Sequence, residues 1–132
     1  MTALDTNILV RFLTGDDEVQ AEKVYALLKK AESEKREFFV PLLVMQELIW
    51  VLESVYDIAR QDILNSIDDL LLMPVLKFEQ QTALHQFIHH AQNSKYDLPD
   101  LLIAHSVREQ GGDTILTFDR KAAKYDLFAL VA

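Results

Sequence analysis

Short apolar runs alternate with longer amphipathic segments along nearly the whole chain. The runs Phe38–Val40 and 115–118 are typical of buried strands, and Pro41 closes the first of them. Strands that alternate with helices in this way pair in parallel, because each crossover helix returns the chain to the same edge of the sheet. The pattern predicts a three-layer α/β/α fold with a central, mainly parallel sheet, built as a single domain over residues 1–132.

Capping residues, prolines and glycines indicate where the helices begin and end. A short buried strand is expected to end at Asp5, and the first helix to be capped near Thr6 or Asn7. Asp16 or Asp17 is expected to cap the second helix. Other elements are predicted as helices over 43–56, 59–72, 79–92 and 98–110, a helical turn over 121–124, and short strands over 75–76 and 127–131.

The segment 43–56 is apolar around more than half of its circumference. A helix of this kind is predicted to be buried on two sides. Together with its neighbour 59–72 it offers more apolar surface than one small core needs, which favours a protein partner. Packing of both helices on the sheet and on each other is the alternative. The predicted buried stripe consists of Val44, Leu48, Val51, Leu52 and Val55.

Four acidic residues occupy four different segments, each at a strand end or near a helix start: Asp5, Glu47, Asp100 and Asp119. Ligands of open α/β sheets bind outside the carboxyl ends of the strands, so we expect these side chains to converge there. Several carboxylates at one place repel each other unless a cation joins them. Oxygen ligands favour Mg²⁺ or Mn²⁺, and the lack of cysteine and of paired histidine ligands argues against zinc.

Hydrolysis of a phosphodiester by metal-activated water suits such a site best, because it needs no serine, histidine or cysteine nucleophile. A single aspartate at a helix start is more often a cap or turn residue, and that interpretation is favoured for Asp97 and Asp113. Asp5 is different. Apolar residues that are expected to be buried flank Asp5. A charged carboxylate at such a place is unfavourable unless a ligand binds it.

The formal net charge is −8, whereas proteins that bind nucleic acids usually carry basic surfaces. The chain is either an acidic protein that repels nucleic acid or one whose carboxylates gather divalent cations, which reverse the local charge. The N-terminus lacks the pattern of a signal peptide, and no apolar run is long enough to cross a membrane. Together with the absence of cysteine, these features predict a soluble cytoplasmic protein.

Basic and histidine side chains allow further interpretations. Arg120, Lys121 and Lys124 follow Asp119, where they would contact an RNA backbone or form a solvated turn; the two alternatives remain equal. His85 and His89 have the i, i+4 spacing of helical zinc ligands. Gln86 stands where a zinc protease has its catalytic glutamate, which favours surface histidines. His105 lies about 140° around its helix from Asp100 and is therefore placed outside the site.

Short motifs around the four acids carry a resemblance to a known family. Ala-Leu-Asp-Thr-Asn at 3–7, Met-Gln-Glu-Leu at 45–48, Leu-Pro-Asp-Leu at 98–101 and Leu-Thr-Phe-Asp at 116–119 resemble the four motifs of PIN-domain ribonucleases. Their order and spacing are similar to those of VapC-type toxins of bacterial toxin–antitoxin systems. The resemblance implies a PIN-like fold and an Mg²⁺- or Mn²⁺-dependent endoribonuclease.

The resemblance also implies roles for individual residues. The catalytic quartet would be Asp5, Glu47, Asp100 and Asp119. Metal ligands would be Asp5, Asp100 and Asp119, with Glu47 acting through water. Supporting positions that orient carboxylates or waters would be Thr6, Asn7 and Thr117.

Partners follow from the same resemblance: an RNA substrate, a second copy of the chain in a homodimer, and a small antitoxin protein. Pro99 departs from the pattern, because many relatives have a small or aromatic residue there.

Two other functions remain open. One is a catalytically silent PIN-like interaction module. The other is a phosphotransferase with an aspartyl-phosphate intermediate, although the haloacid-dehalogenase pattern would need an aspartate where Asn7 stands, and a receiver domain would need an acidic pair and a closing lysine.

Overall fold

The computed structural model describes residues 1–131 and divides the chain into two compact units, residues 1–79 and the residues from 80 onward. Each unit has its own parallel strands and its own helices. That residues 1–132 form one domain stays a prediction, and the two units are described in turn.

The first unit is built on a three-stranded parallel sheet in the order β1-β2-β3. Phe38 of the central strand pairs with Thr2 on one side and with Leu76 on the other. The central strand has the predicted bounds, whereas the third begins one residue later than expected and runs further. The strands are β1 (Thr2–Ala3), β2 (Phe38–Val40) and β3 (Leu76–Phe78).

Four helices complete the first unit: α1 (Thr6–Thr14), α2 (Glu18–Ser33), α3 (Leu42–Ser54) and α4 (Arg60–Leu71). Asp17 caps α2 as expected, because its side chain accepts a hydrogen bond from the Gln20 N–H. The cap of α1 is Asp5, one residue before the predicted Thr6 or Asn7. Gly15 ends α1 at a φ of 63°, a left-handed conformation that glycine adopts without steric cost.

The buried face of α3 differs from the predicted stripe. Its fully buried residues are Met45, Leu48, Ile49 and Leu52, which form one face at i, i+3, i+4 and i+7 spacing. Val55, which was assigned to the stripe, lies beyond the helix end and is 62% exposed. The prediction that α3 is buried on two sides is therefore wrong. Because apolar residues cover more than half of the helix circumference, periodicity alone gave several possible faces.

The other helices bury the faces that their periodicity predicts, and none in the described part of the chain is long and apolar enough to cross a bilayer. In α2, Leu27 was expected inside with its neighbours but is 39% exposed. The apolar residues of α4 that are buried are Ile63, Leu64, Ile67, Leu70 and Leu71. The predicted inward positions of the next helix, α5 (Gln81–Ala91), all buried, are Ala83, Leu84, Phe87, Ile88 and Ala91.

The second unit pairs α5 with α6 (Leu98–Glu109) and carries a two-stranded sheet. Its strands, β4 (Ile115–Thr117) and β5 (Phe128–Leu130), are parallel, and a 3₁₀ helix at Ala122–Lys124 lies in the connection. Every strand pairing within residues 1–131 is parallel, which confirms the pairing that the sequence predicted.

Candidate active site

Asp5 lies at the N-terminus of α1, where its Oδ1 atom accepts a hydrogen bond from the Thr6 N–H at 2.7 Å. Leu4 before it is buried, but both residues of β1 are exposed. The expected buried strand in front of Asp5 is therefore wrong, because a two-residue strand paired on one side only stays open to solvent. The carboxylate itself is exposed and lies next to the positive end of a helix dipole.

Thr6 is one of two buried polar residues of the described chain, at 3% exposure. Its Oγ1 atom has no hydrogen-bond partner, which is unfavourable for a buried hydroxyl. Asn7, the next residue, is exposed. The motif around Asp5 thus combines a surface carboxylate with an unsatisfied hydroxyl directly beside it.

Glu47 lies in the first half of α3 and is exposed to solvent. Leu43 and Trp50, at i−4 and i+3, share its face of the helix and are 76% and 58% exposed. Trp50 therefore lies at the surface of the chain. The Glu47 carboxylate therefore projects from a surface with large apolar side chains on both sides.

In the second unit, Asp100 occupies the first turn of α6 and is half-buried. Burial raises the pKa of its carboxyl group, and repulsion from Asp97 and Asp119 raises it further, while Lys121 lowers it. Asp97 occupies the N-cap position but makes no capping hydrogen bond. Its Oδ1 atom instead pairs with the Lys121 Nζ atom at 3.2 Å, so the expectation of a plain capping role is wrong.

Asp119 directly follows the β4 region and organises the turn that leads to the 3₁₀ helix. Its N–H donates to the Thr117 Oγ1 atom at 3.0 Å. Its Oδ1 atom accepts hydrogen bonds from the Lys121 and Ala122 N–H groups at 2.9 and 3.1 Å. The side chain is exposed, and the two backbone N–H groups that follow it hold its position.

Three acids of the second unit therefore interact with one another, namely Asp97, Asp100 and Asp119, with Lys121 as the counter-charge. Asp97 was not identified from the sequence as a member of this group of acids. Its i, i+3 spacing from Asp100 at a helix start was the available signal. Within neither unit, as far as residue 131, do three or more acidic or histidine side chains form a group that could hold a metal ion by itself.

Comparison with known proteins assigns the chain to a family. The PIN domain family matches residues 2–127. The chain belongs to the PIN domain family. This confirms the family predicted from the four motifs, and with it the PIN-like α/β fold class. The VapC ribonuclease of Aquifex aeolicus (strain VF5) is 25% identical over 124 residues, which cover 94% of this chain and 91% of that protein. No solved structure gives a significant match.

PIN-domain nucleases are expected to use a divalent metal ion, and the chemistry of the residues present fits one. The candidate ligands of this PIN domain, Asp5, Asp100 and Asp119, offer only carboxylate oxygens, which Mg²⁺ and Mn²⁺ prefer. Burial is the main cause that raises the pKa of Asp100, and repulsion from Asp97 and Asp119 adds to it; a cation would relieve the repulsion.

The basic side chains that follow Asp119 and the histidines of the i, i+4 pair all lie at the surface. Arg120 and Lys124 are exposed, whereas Lys121 pairs with Asp97. His85 and His89 are both exposed on α5, as expected of surface histidines. Their imidazoles therefore belong to the surface of the helix.

Two polar networks were not anticipated from the sequence. In the first unit, Arg11 donates to Gln20 at 2.7 Å and to Asp16 at 3.1 Å, and the Tyr56 hydroxyl donates to Asp16 at 2.6 Å. The hydrogen bond with Tyr56 is the main cause that raises the pKa of Arg11 and lowers that of Asp16. The second network joins histidine and tyrosine side chains of the second unit. Both depend on residues far apart in sequence, so no local pattern indicates them.

Proposed function

We propose that this PIN-domain protein is an Mg²⁺- or Mn²⁺-dependent endoribonuclease that acts as the toxin of a type II toxin–antitoxin system. The observation that carries the proposal is the electrostatic state of Asp100. Its half-buried carboxyl group lies close enough to two other acids for their charges to raise its pKa. A fold without a ligand gains nothing from this repulsion, so it supports a cation site. The VapC ribonuclease relative supports the choice of RNA.

The proposed metal ligands are Asp5, Asp100 and Asp119, and the proposed role of Glu47 is to contact the ion through water. Thr117 supports this arrangement through its bond to the Asp119 N–H. The proposed supporting role of Thr6 and Asn7 is to orient water or a carboxylate next to Asp5.

A bound Mg²⁺ or Mn²⁺ would acidify water for attack on the phosphodiester and stabilise the charge on the phosphate. The protein's own residues would bind the RNA substrate and hold it in the orientation that the reaction needs. Arg120 and Lys124 are exposed near Asp119 in sequence and would contact the RNA backbone. Lys121 would also contact the RNA backbone once it releases Asp97. The ion pair between Lys121 and Asp97 lies at the surface and is easily broken.

The decisive experiment measures cleavage of single-stranded RNA by the purified protein with Mg²⁺, with Mn²⁺ and with a chelator. We expect cleavage with metal and none with chelator. Asp100→Asn removes the charge but keeps the shape, so it should lower the cleavage rate by at least about 100-fold. The same change relieves repulsion, so the free energy of unfolding should stay equal or rise by up to about 1 kcal/mol.

Asp113→Asn is the matched control, because Asp113 is an exposed turn residue of the same unit. This variant should keep both cleavage and stability. Cleavage that survives in Asp100→Asn would reject the proposed mechanism. A pure and folded protein that cuts no RNA under any condition would instead favour the catalytically silent interaction module.

The toxin role has a cellular test. Expression of the wild-type chain should arrest growth, and Asp100→Asn should relieve the arrest while accumulating to the same level. An antitoxin partner and a homodimer are part of this proposal, and the exposed apolar side chains on α3 support a protein partner. A single species of monomer mass in size-exclusion chromatography with light scattering would reject the homodimer.

A further inference from the structure

Three polar side chains from separate elements of the second unit meet at one point. The His90 Nδ1 atom on α5 lies 2.9 Å from the His105 Nε2 atom on α6. The Tyr125 hydroxyl, just after the 3₁₀ helix, lies 3.1 Å from the same Nε2 atom and 3.5 Å from the His90 Nδ1 atom. His105 is only 3% exposed. None of the three belongs to the proposed metal ligands or RNA contacts.

A continuous series of hydrogen bonds connects Tyr125 to Asp119. The Tyr125 N–H donates to the Ala122 carbonyl at 2.9 Å, and the Ala122 N–H donates to the Asp119 carboxylate at 3.1 Å. The Ala123 N–H donates to the Asp119 carbonyl at 3.0 Å. The backbone position of Tyr125 is therefore linked to the Asp119 carboxylate through the Ala122 peptide groups.

Apolar packing supports this connection only in part. Ala122 packs in a small core with Ala104 of α6 and with Leu127 and Phe128. Alanine side chains give little shape specificity, so the contact between Ala104 and Ala122 does not by itself fix the position of the segment along the helix. The Tyr125 hydroxyl lies within hydrogen-bond distance of the His105 Nε2 atom, and because a hydrogen bond is directional this contact restricts the position of the segment.

We propose that His90, His105 and Tyr125 form a clamp that positions the Asp119 segment against α6, the helix that carries Asp100. The clamp sets the distance between two proposed metal ligands within one unit and touches neither of them. It rests on the proposed function, because positioning matters only if both carboxylates serve one reaction. Tyr125 is thus a positioning residue.

Burial, with a further contribution from charged neighbours, keeps the imidazoles of the clamp neutral at ordinary pH. Burial lowers the pKa of His105 to about 4, with repulsion from His90 and Arg108 as further causes. The pKa of His90 is lowered by burial, by His89 and by Arg108. The two facing nitrogens need one proton and one lone pair between them, so the clamp cannot hold two protonated imidazoles.

Tyr125 has charged and polar neighbours of its own. Burial raises the pKa of its hydroxyl, Asp126 and Tyr96 add to this, and Arg108 opposes it. Arg108 also forms an ion pair with Asp126 at 3.1 Å. The hydroxyl therefore stays protonated and available as a donor.

Tyr125→Phe tests the clamp, since it removes only the hydroxyl. Tyr25→Phe is the control, because the Tyr25 hydroxyl bonds only the Phe12 carbonyl in the other unit at 3.3 Å. Hydrogen exchange of the Lys121, Ala122 and Ala123 amides should accelerate about 5- to 10-fold in Tyr125→Phe and stay unchanged in the control.

The functional measurement is steady-state RNA cleavage with Mn²⁺, together with titration of Mn²⁺ alone. In Tyr125→Phe we expect kcat to fall about 10-fold with an unchanged KM, and Mn²⁺ to bind several-fold more weakly. In the wild type, the same amides should lose protection as the pH falls toward 4, after correction for intrinsic exchange. Tyr125→Phe should lack that pH-dependent step.

Unchanged exchange in Tyr125→Phe would overturn the clamp. Faster exchange with an unchanged kcat would overturn its positioning role. If the wild-type protein neither binds Mn²⁺ nor cuts RNA, the proposed function fails as well as the positioning role, and the exchange measurement still decides whether the clamp exists.

Discussion

The Asp5 carboxylate accepts a hydrogen bond from the Thr6 N–H, so it caps α1. From the sequence, a capping role and a ligand role were alternatives for Asp5. In the structure the two roles are compatible. A carboxylate has two oxygens with about four lone-pair positions, of which one cap uses a single position. The cap also holds the side chain in one orientation, which favours rather than hinders ion binding.

Thr6→Val tests the residue next to it. Valine has nearly the same shape and lacks the hydroxyl, whose buried oxygen has no partner. Without metal, the free energy of unfolding should therefore rise by about 1 kcal/mol. If Thr6 supports a metal site, the same variant should bind Mn²⁺ more weakly. Urea denaturation and calorimetric titration measure the two effects, and Thr14→Val, whose hydroxyl is hydrogen-bonded, should lose stability instead.

Elements differ in how well their sequence predicts their orientation. In α4 and α5 the apolar residues occupy one face, and all of them are buried. In α3 they occupy more than half of the circumference, and the structure buries a face that the sequence did not single out. The reason is that a hydrophobic pattern orients a helix only through contrast with polar residues.

Leu48→Ala and Trp50→Gln test the face that α3 buries. Leu48 is fully buried, so its truncation should cost about 2–5 kcal/mol of unfolding free energy. Trp50 is 58% exposed, so Trp50→Gln should change that free energy by less than about 0.5 kcal/mol. Chemical denaturation of the isolated chain measures both. Equal losses for the two variants would contradict the observed face.

The α5–α6 pair predicts an acid sensitivity. His105 in the unfolded chain binds its proton near pH 6.5 but in the folded chain only near pH 4. The unfolded state therefore takes up more protons in this interval, and stability falls as the pH drops through it. The shift corresponds to a loss of up to about 3 kcal/mol. His105→Gln should flatten the pH profile of unfolding, while His85→Gln, at an exposed position, should leave it unchanged.

The whole molecule carries a net charge of −8, and the proposed function uses part of this charge to bind a divalent ion. An ion that binds only the folded state raises the free energy of unfolding. At a free Mn²⁺ concentration 100 times the Kd, the gain is about 2.7 kcal/mol. Thermal unfolding with Mn²⁺ should show it, and Asp100→Asn should reduce it. Sodium chloride at equal ionic strength is the control, because screening also stabilises an acidic protein.

The sequence by itself determined the alternation of strands and helices, the parallel pairing, the family and the bounds of β2. These follow from local patterns and from motifs whose residues lie close together in the chain. The roles proposed for Asp5, Glu47, Asp100 and Asp119 also come from the sequence and stay predictions.

Only the tertiary structure decided which face of α3 is buried, that β1 is exposed, and that Asp97 joins Asp100 and Asp119. It also decided that His90, His105 and Tyr125 meet. Each of these depends on contacts between segments distant in the chain. A sequence pattern records which residues are available for such contacts, whereas packing determines which of them are made.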